Sequence, residues 1–257
     1  MSNNYTEKLE QFCSIVSEYK NDGGYPHAFE SFFESLNDWS KFYSLEEVKT
    51  WFLDKRENSS LQVTDIPLKD VKGWNVDEQT GDISHNSGDF FTIHGVRVHS
   101  KNREVEVTWD QPILEQVGYD GGLLGIIRKR FDGIPHYLCE AKEEPGNYGK
   151  AQISPTLQAT FANLNQSHGG RKPHFSELFM NRNERSDITI LFDSWLAEDG
   201  GRLHLKRNRG ILVEVPEDMD IELPNDNFIW LSLYQIKQLL KEDAWINPHV
   251  RGIMAHV

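Results

Sequence analysis

Apolar residues near the start of the chain recur at three- and four-residue steps. Leu9, Phe12, Cys13, Val16 and Tyr19 have the period of an amphipathic helix. A second helix is expected in SLEEVKTWFLDKREN, where Ser44 supplies a cap and Leu45, Val48, Trp51 and Phe52 share one face. Gly23-Gly24 separates the two pieces. These signals predict an N-terminal helical extension over roughly residues 1–60, with the main domain over roughly 61–257.

Beyond that boundary the period shortens to two. FFTIHGVRVHS, EVEVTW, LLGIIRKRF and HYLCEAK alternate apolar with polar positions and are rich in β-branched and aromatic types. Turn chemistry punctuates them at Thr80-Gly81, Asp132-Gly133 and Pro145-Gly146-Asn147. DITILFDSWL, RLHLKR and GILVEV form a second strand group. Helical signals return at LYQIKQLLKED, capped by Ser232, and from Asn247 onward. Strands, a polar segment, more strands and closing helices predict an α+β fold with a mixed, curved sheet flanked by helices.

Composition narrows the partners. Hydrophobic residues make up 38% of the 257, which is enough for a core. The net charge of -13 repels polyanions at long range, so neither a nucleic acid nor an anionic membrane surface is an expected partner. It still allows one phosphate-bearing ligand in a locally basic pocket. Cys13 and Cys139 show no CxxC spacing, so a reducing compartment is expected and a structural zinc is not. No apolar run approaches a membrane span and the N-terminus lacks a signal-peptide layout, so the expected location is cytoplasmic.

Two segments carry candidate chemistry. In RLHLKRNRGILVEV, residues 202–215, a continuous strand would place Arg202, His204, Lys206 and Asn208 on one face and Arg207 with Arg209 on the other. So many donors in an acidic chain fit either a solvated, salt-bridged strand or a clamp for a diphosphate. In EAKEEPGNYGKAQISPTLQAT, residues 140–160, Lys142 and Glu144 end a strand. Gln152, Ser154, Thr156, Gln158 and Thr160 then supply amides and hydroxyls. These suit either a loop entering a capped helix or a surface that orients a sugar or a pyrimidine base. His85 and His168 stand near glycines, where backbone can approach a ligand. Trp74, Trp109 and Trp230 read as core residues, any one of which can stack on a nucleobase. There is no HxH or HExxH pattern, so no metal is expected. The GxSxG, P-loop and GxGxxG fingerprints are also missing.

Taken in order, GDISHNSGDFFTIHGVRV, WDQPIL, GLLGIIRKRFDGIPHYL, EAKEEPGN, QISPTLQATFANLNQSHGG, EDGGRLHLKRNRGILVEV, FIWLSLYQIKQLL and INPHVRGIMA resemble the NDP-hexose 2,3-dehydratase family. The resemblance implies a Nudix-like domain without the metal-binding Nudix box, whose place is taken by QISPTLQAT. It implies a dTDP-4-keto-6-deoxyhexose substrate that loses its carbon-2 hydroxyl to give a 3,4-diketo-2,6-dideoxyhexose, with no cofactor. On that reading Glu144 and Glu198 are the acid and base candidates, followed by His168. Lys142, Arg202, Lys206, Arg207 and Arg209 hold diphosphate or enolate charge. Gln152, Thr156, Gln158 and Asn208 orient sugar or base, with Trp74 and His85 at the substrate. Pro248-His249 departs from the Met-Asp-like pair of the family pattern, and Leu196 stands near a polar position. Family members carry two copies of the unit and this chain one, which implies a homodimer. The alternatives are a non-catalytic nucleotide-sugar-binding module and a Nudix-type pyrophosphohydrolase.

Overall fold

Reciprocal caps form at both serines that the sequence marks. In the computed structural model, which describes residues 4–16, 27–101, 108–118, 121–164 and 172–257, helices α1 (Asn4–Val16) and α2 (Ala28–Glu34) come first. Ser44 then accepts from the Glu47 N–H while the Glu47 carboxylate accepts from the Ser44 N–H, opening α3 (Leu45–Glu57). Each such pair satisfies two of the donors that a helix start leaves bare. Tyr19, Gly23-Gly24 and residues 104–107 of EVEVTW lie outside the described residues, as does His168.

Among the described residues the strands form two sheets. The smaller is an antiparallel meander of β1 (Trp74–Val76), β2 (Ile83–His85), β3 (Phe91–His99) and β4 (Thr108–Gln116). The larger has β5 (Gly122–Phe131) and β6 (Ile134–Glu143) at its centre, joined by the expected turn at Asp132-Gly133. This hairpin splits. The second half of β5 pairs with β6, but its first half pairs with β8 (Leu157–Thr160), while the end of β6 pairs with β7 (Ala151–Pro155). Thr156 sits in the fork. Its hydroxyl donates to Leu138 O at 2.5 Å and accepts from Ile127 N–H at 3.0 Å, replacing ladder bonds that the split removes.

The short helices α4 (Phe161–Leu164) and α5 (Ser176–Met180) follow, then β9 (Thr189–Ala197) and β10 (Arg207–Val215). β10 lies parallel to β5 and antiparallel to β9, and β11 (Phe228–Leu231) pairs with β6, so the sheet is mixed as expected. RLHLKR is not a strand. β10 begins only at Arg207, and the backbone turns through residues 199–205, with Leu205 at φ 50°. That left-handed conformation interrupts the extended geometry that would align Arg202, His204 and Lys206.

β5 is buried on both faces, which is why it reads as a nearly unbroken apolar run. Leu124 and Ile126 pack with α3, α6 (Leu233–Leu239) and the closing helix α7 (Pro248–Met254). Leu123 and Ile127 pack on the opposite face with Ile211, Val213 and Phe179. Gly125 is required there, because a Cβ would stand 2.4 Å from the fully buried Phe179 ring. Gly125→Ala is expected to cost about 1–3 kcal/mol of stability by overpacking, measured by urea unfolding.

Candidate active site

The larger sheet, β3 and α7 together enclose a cavity of about 350 Å³. Its polar wall is Glu144, Gln158, Thr160, Asn163, Glu198, Lys206, Asn208 and His249, and its apolar wall is Phe91, Leu124, Ala159 and Leu203. Register explains part of this set. Leu124 is opposite Gln158 on β8 and opposite Gly210 on β10, so Asn208, two residues back, shares their face.

Asn208 is 6% exposed and works in two directions. Its side-chain oxygen accepts from Gly122 N–H at 2.8 Å, and its amide donates to a Glu198 carboxylate oxygen. The bond to Gly122 fixes the orientation of the amide, and the amide in turn fixes the carboxylate. Opposite, the Gln158 amide donates to Glu144 at 3.0 Å. Its oxygen is buried and makes no hydrogen bond among the described residues. A buried acceptor left this way costs about 1–3 kcal/mol, which a donor on a ligand would recover.

His249 enters on α7 with its Nδ1 3.5 Å from Glu198 Oε1. Its position is built in stages. The segment before α7 bridges β7, with Ile153 N–H donating to Trp245 O at 2.8 Å and Asn247 N–H to Ile153 O at 2.9 Å. Gln152 accepts from the Asn247 amide at 3.2 Å and itself donates to Ala244 O at 3.1 Å. Asn247 caps α7 by accepting from His249 N–H at 2.9 Å, with Pro248 in the first turn. Burial pushes the His249 imidazole below its ordinary 6.5, against the pull of Glu198 and Glu144, and Lys206 adds to the lowering. The burial thus favours the neutral form of the imidazole. Burial also lowers the Lys206 ammonium, an effect that Glu198 opposes. Lys206 donates to the Gln116 side chain at the end of β4. It also lines a second, wider hollow of about 930 Å³ with Glu115, Gln116, Phe161, His204 and Arg207.

Of the residues singled out in the sequence, the cavity gathers Glu144, Gln158, Glu198, Lys206 and Asn208. Arg207 lines the wider hollow, its guanidinium 4.3 Å from the centre of the Trp195 ring. Arg209 shares that face of β10 and pairs with Asp193. Arg202 pairs with Asp199 at 2.5 Å on the surface, and Lys142 with Glu140 at 3.6 Å. Thr156 lies inside the strand fork and Gln152 under the cap of α7. Trp74 and His85 pack against each other on the small sheet, ring centres 5.5 Å apart. None of these last six residues lines the cavity. Sequence alone does not single out His249, because a histidine beside proline matches no catalytic motif. The one signal was the Asn-Pro pair before it, which marks a helix start.

The NDP-hexose 2,3-dehydratase family profile matches residues 45–257. A dTDP-4-dehydro-6-deoxy-alpha-D-glucopyranose 2,3-dehydratase of Amycolatopsis orientalis is 36% identical over 216 residues, covering 82% of this chain and 44% of that protein. Enzymes of the same name from Saccharopolyspora spinosa and Streptomyces violaceoruber are 36% and 34% identical, covering 81% and 80% of this chain and 41% and 44% of their own lengths. The chain thus spans less than half the length of the curated relatives it matches. Among solved structures, a C. elegans Ap4A hydrolase has 15% identity and a TM-score of 0.29, covering 52% of this chain and 97% of that one. A Nudix hydrolase from M. Smegmatis, RenU, has 11% identity and a TM-score of 0.30, covering 62% and 90%.

Proposed function

The chain belongs to the NDP-hexose 2,3-dehydratase family, and from that premise we propose that it removes the carbon-2 hydroxyl of a dTDP-4-keto-6-deoxyhexose. The product is the 3,4-diketo-2,6-dideoxyhexose, still on its nucleotide, and the by-product is water. The observation that carries this reading is one cavity that gathers the His249 imidazole, the Glu144 and Glu198 side chains and Lys206.

The ketone at carbon 4 acidifies the proton on carbon 3. His249 takes that proton, and Glu198, held by Asn208, orients the ring and stabilises the imidazolium. Lys206 meets the oxyanion that develops at carbon 4, a contact of the kind worth about 2.7–4 kcal/mol in comparable sites. As the enolate collapses, the imidazolium returns the proton to the departing carbon-2 hydroxyl, so the sugar loses one water. The enol left between carbons 2 and 3 tautomerises to the diketone. Glu144 and Gln158 hold sugar hydroxyls, the carboxylate and the unpaired amide oxygen accepting from them. The nucleotide diphosphate lies in the wider hollow beside Arg207, since Lys206 lines both spaces.

A pH consequence follows. The base must be neutral, so kcat falls as pH drops through the lowered pKa of His249, and the acid limb lies below pH 6.5. Glu198 raises that pKa. Glu198→Gln therefore shifts the acid limb to lower pH as well as lowering kcat. A pH–rate profile checks this, and an unmoved limb removes Glu198 from contact with the base.

We also propose that two copies associate. Light scattering at twice the chain mass supports this and a monomeric mass contradicts it. No helix among the described residues is long and apolar enough to cross a membrane. Free Cys13 and Cys139 fit a cytoplasmic setting.

A further inference from the structure

Outside the cavity, His94, Glu115 and His204 bring three metal-ligating atoms within 4.8 Å of one another. They come from three separate segments, which is why no metal motif is visible in the sequence. On the small sheet Thr92 is opposite Glu115, so His94, two residues further along β3, lies on the same face. The loop carrying His204 is clamped to β4 by two backbone bonds. Leu114 N–H donates to Arg202 O at 2.9 Å, and His204 N–H to Leu114 O at 2.7 Å. That clamp brings His204 Nδ1 to 3.7 Å and His94 Nδ1 to 3.6 Å from the same oxygen, Glu115 Oε2.

A second observation points to a ligand. His204 Nδ1 is buried and makes no hydrogen bond among the described residues, although the residue as a whole is partly exposed. Buried polar atoms are almost always satisfied. Tetrahedral ligation with metal–ligand bonds of about 2.0–2.2 Å separates ligand atoms by roughly 3.3–3.5 Å. The two His–Glu separations exceed that by only a few tenths of an ångström.

We propose that His94, Glu115 and His204 form a binding site for a divalent transition-metal cation of the zinc class. Two imidazoles and one carboxylate match the donor preference of Zn²⁺ over that of Mg²⁺ or Ca²⁺, which take oxygen ligands. The three side chains retain solvent access, which leaves room for water in the remaining position. A bound cation ties the loop at residues 199–206 to the small sheet, and that loop delivers Lys206 to the cavity. Glu115 and His204 also line the wider hollow, so a cation here stands beside the diphosphate proposed for that space, but cation binding by these three side chains is measured without the nucleotide sugar.

The test titrates the full chain, stripped by chelator, with Zn²⁺ alone in a calorimeter and with Co²⁺ in a visible spectrometer. One equivalent should bind, and Co²⁺ should show the d–d bands of low-symmetry nitrogen and oxygen ligation. His94→Ala or His204→Ala should weaken binding by more than the 10–100-fold or so that loss of a merely supporting partner costs. His249→Ala should bind Zn²⁺ as the wild type does. Unchanged binding in the double variant His94→Ala/His204→Ala, or no stoichiometric binding by the wild type, overturns the proposal. If the variants unfold, imidazole ¹⁵N spectra of the wild type decide. Zn²⁺ should shift the His94 and His204 nitrogens, and shifts confined to other histidines overturn the site.

Discussion

Replacing His249 by glutamine should lower kcat by about 10²–10⁴-fold, the usual worth of a positioned general base. Glutamine keeps the backbone N–H that Asn247 accepts and fills much of the same space, so α7 should remain in place. KM should change far less than kcat, because the lost interaction is with a proton transferred only in the transition state. The acid limb assigned to the imidazole should also disappear from the pH–rate profile. A steady-state comparison of the two proteins across pH reads all three effects. A variant that retains both wild-type turnover and the acid limb removes His249 from the chemistry.

The second large effect is on stability. Arg128 is 1% exposed and lies at the centre of a charge network that joins α2 to the sheet. Its guanidinium meets Glu34 at 2.7 Å and Glu30 at 3.1 Å, and also contacts Glu214. Tyr137 donates to the other Glu34 oxygen at 3.0 Å. Arg128→Met leaves Glu34, whose side chain is 3% exposed, without its cation. A loss of about 3–5 kcal/mol is expected, the typical result of orphaning a buried charge. Much of that loss is the penalty on the remaining carboxylate, so Arg128→Met/Glu34→Gln should be more stable than Arg128→Met alone. Urea unfolding of the wild type and both variants reads the difference.

Within this network Glu30 adds an acid dependence of its own. Burial opposes ionisation of Glu30, but its bonds to Arg130 and the charge of Arg128 outweigh burial and hold the carboxyl at about 2 instead of 4.5. A lowered carboxyl stabilises the fold fully above pH 4.5, and that contribution is lost as pH falls towards 2.

Local chemistry was legible wherever one segment decides its own structure. Ser44 and Ser232 cap as their spacing to Glu47 and Gln235 predicts, and the Asp132-Gly133 turn joins the strands it separates. The faces of β10 were also readable, with Asn208 opposite Arg207 and Arg209. Tertiary context decided the rest. Extending the alternation back to Arg202 failed because it cannot register a left-handed residue such as Leu205. Thr156 looked like a ligand contact because a hydroxyl serves a strand fork and a sugar equally well, and only the pairing of β5 and β6 separates the two. Asn247 caps the helix locally, but His249 also needed Ile153 and Gln152 of a distant strand to hold that segment before it met Glu198. No window of sequence contains both that strand and His249.

Dehydration at carbon 2 is the activity proposed for this cavity. The most direct measurement incubates the chain with dTDP-4-keto-6-deoxyglucose, reduces the product in place and weighs the nucleotide sugar by mass spectrometry. The wild type should form a product lighter by one water before reduction, with two reducible carbonyls, and His249→Gln should suppress it. Recovery of the intact sugar from a folded protein that binds it, or release of a nucleoside monophosphate instead, would rule out dehydration in this cavity.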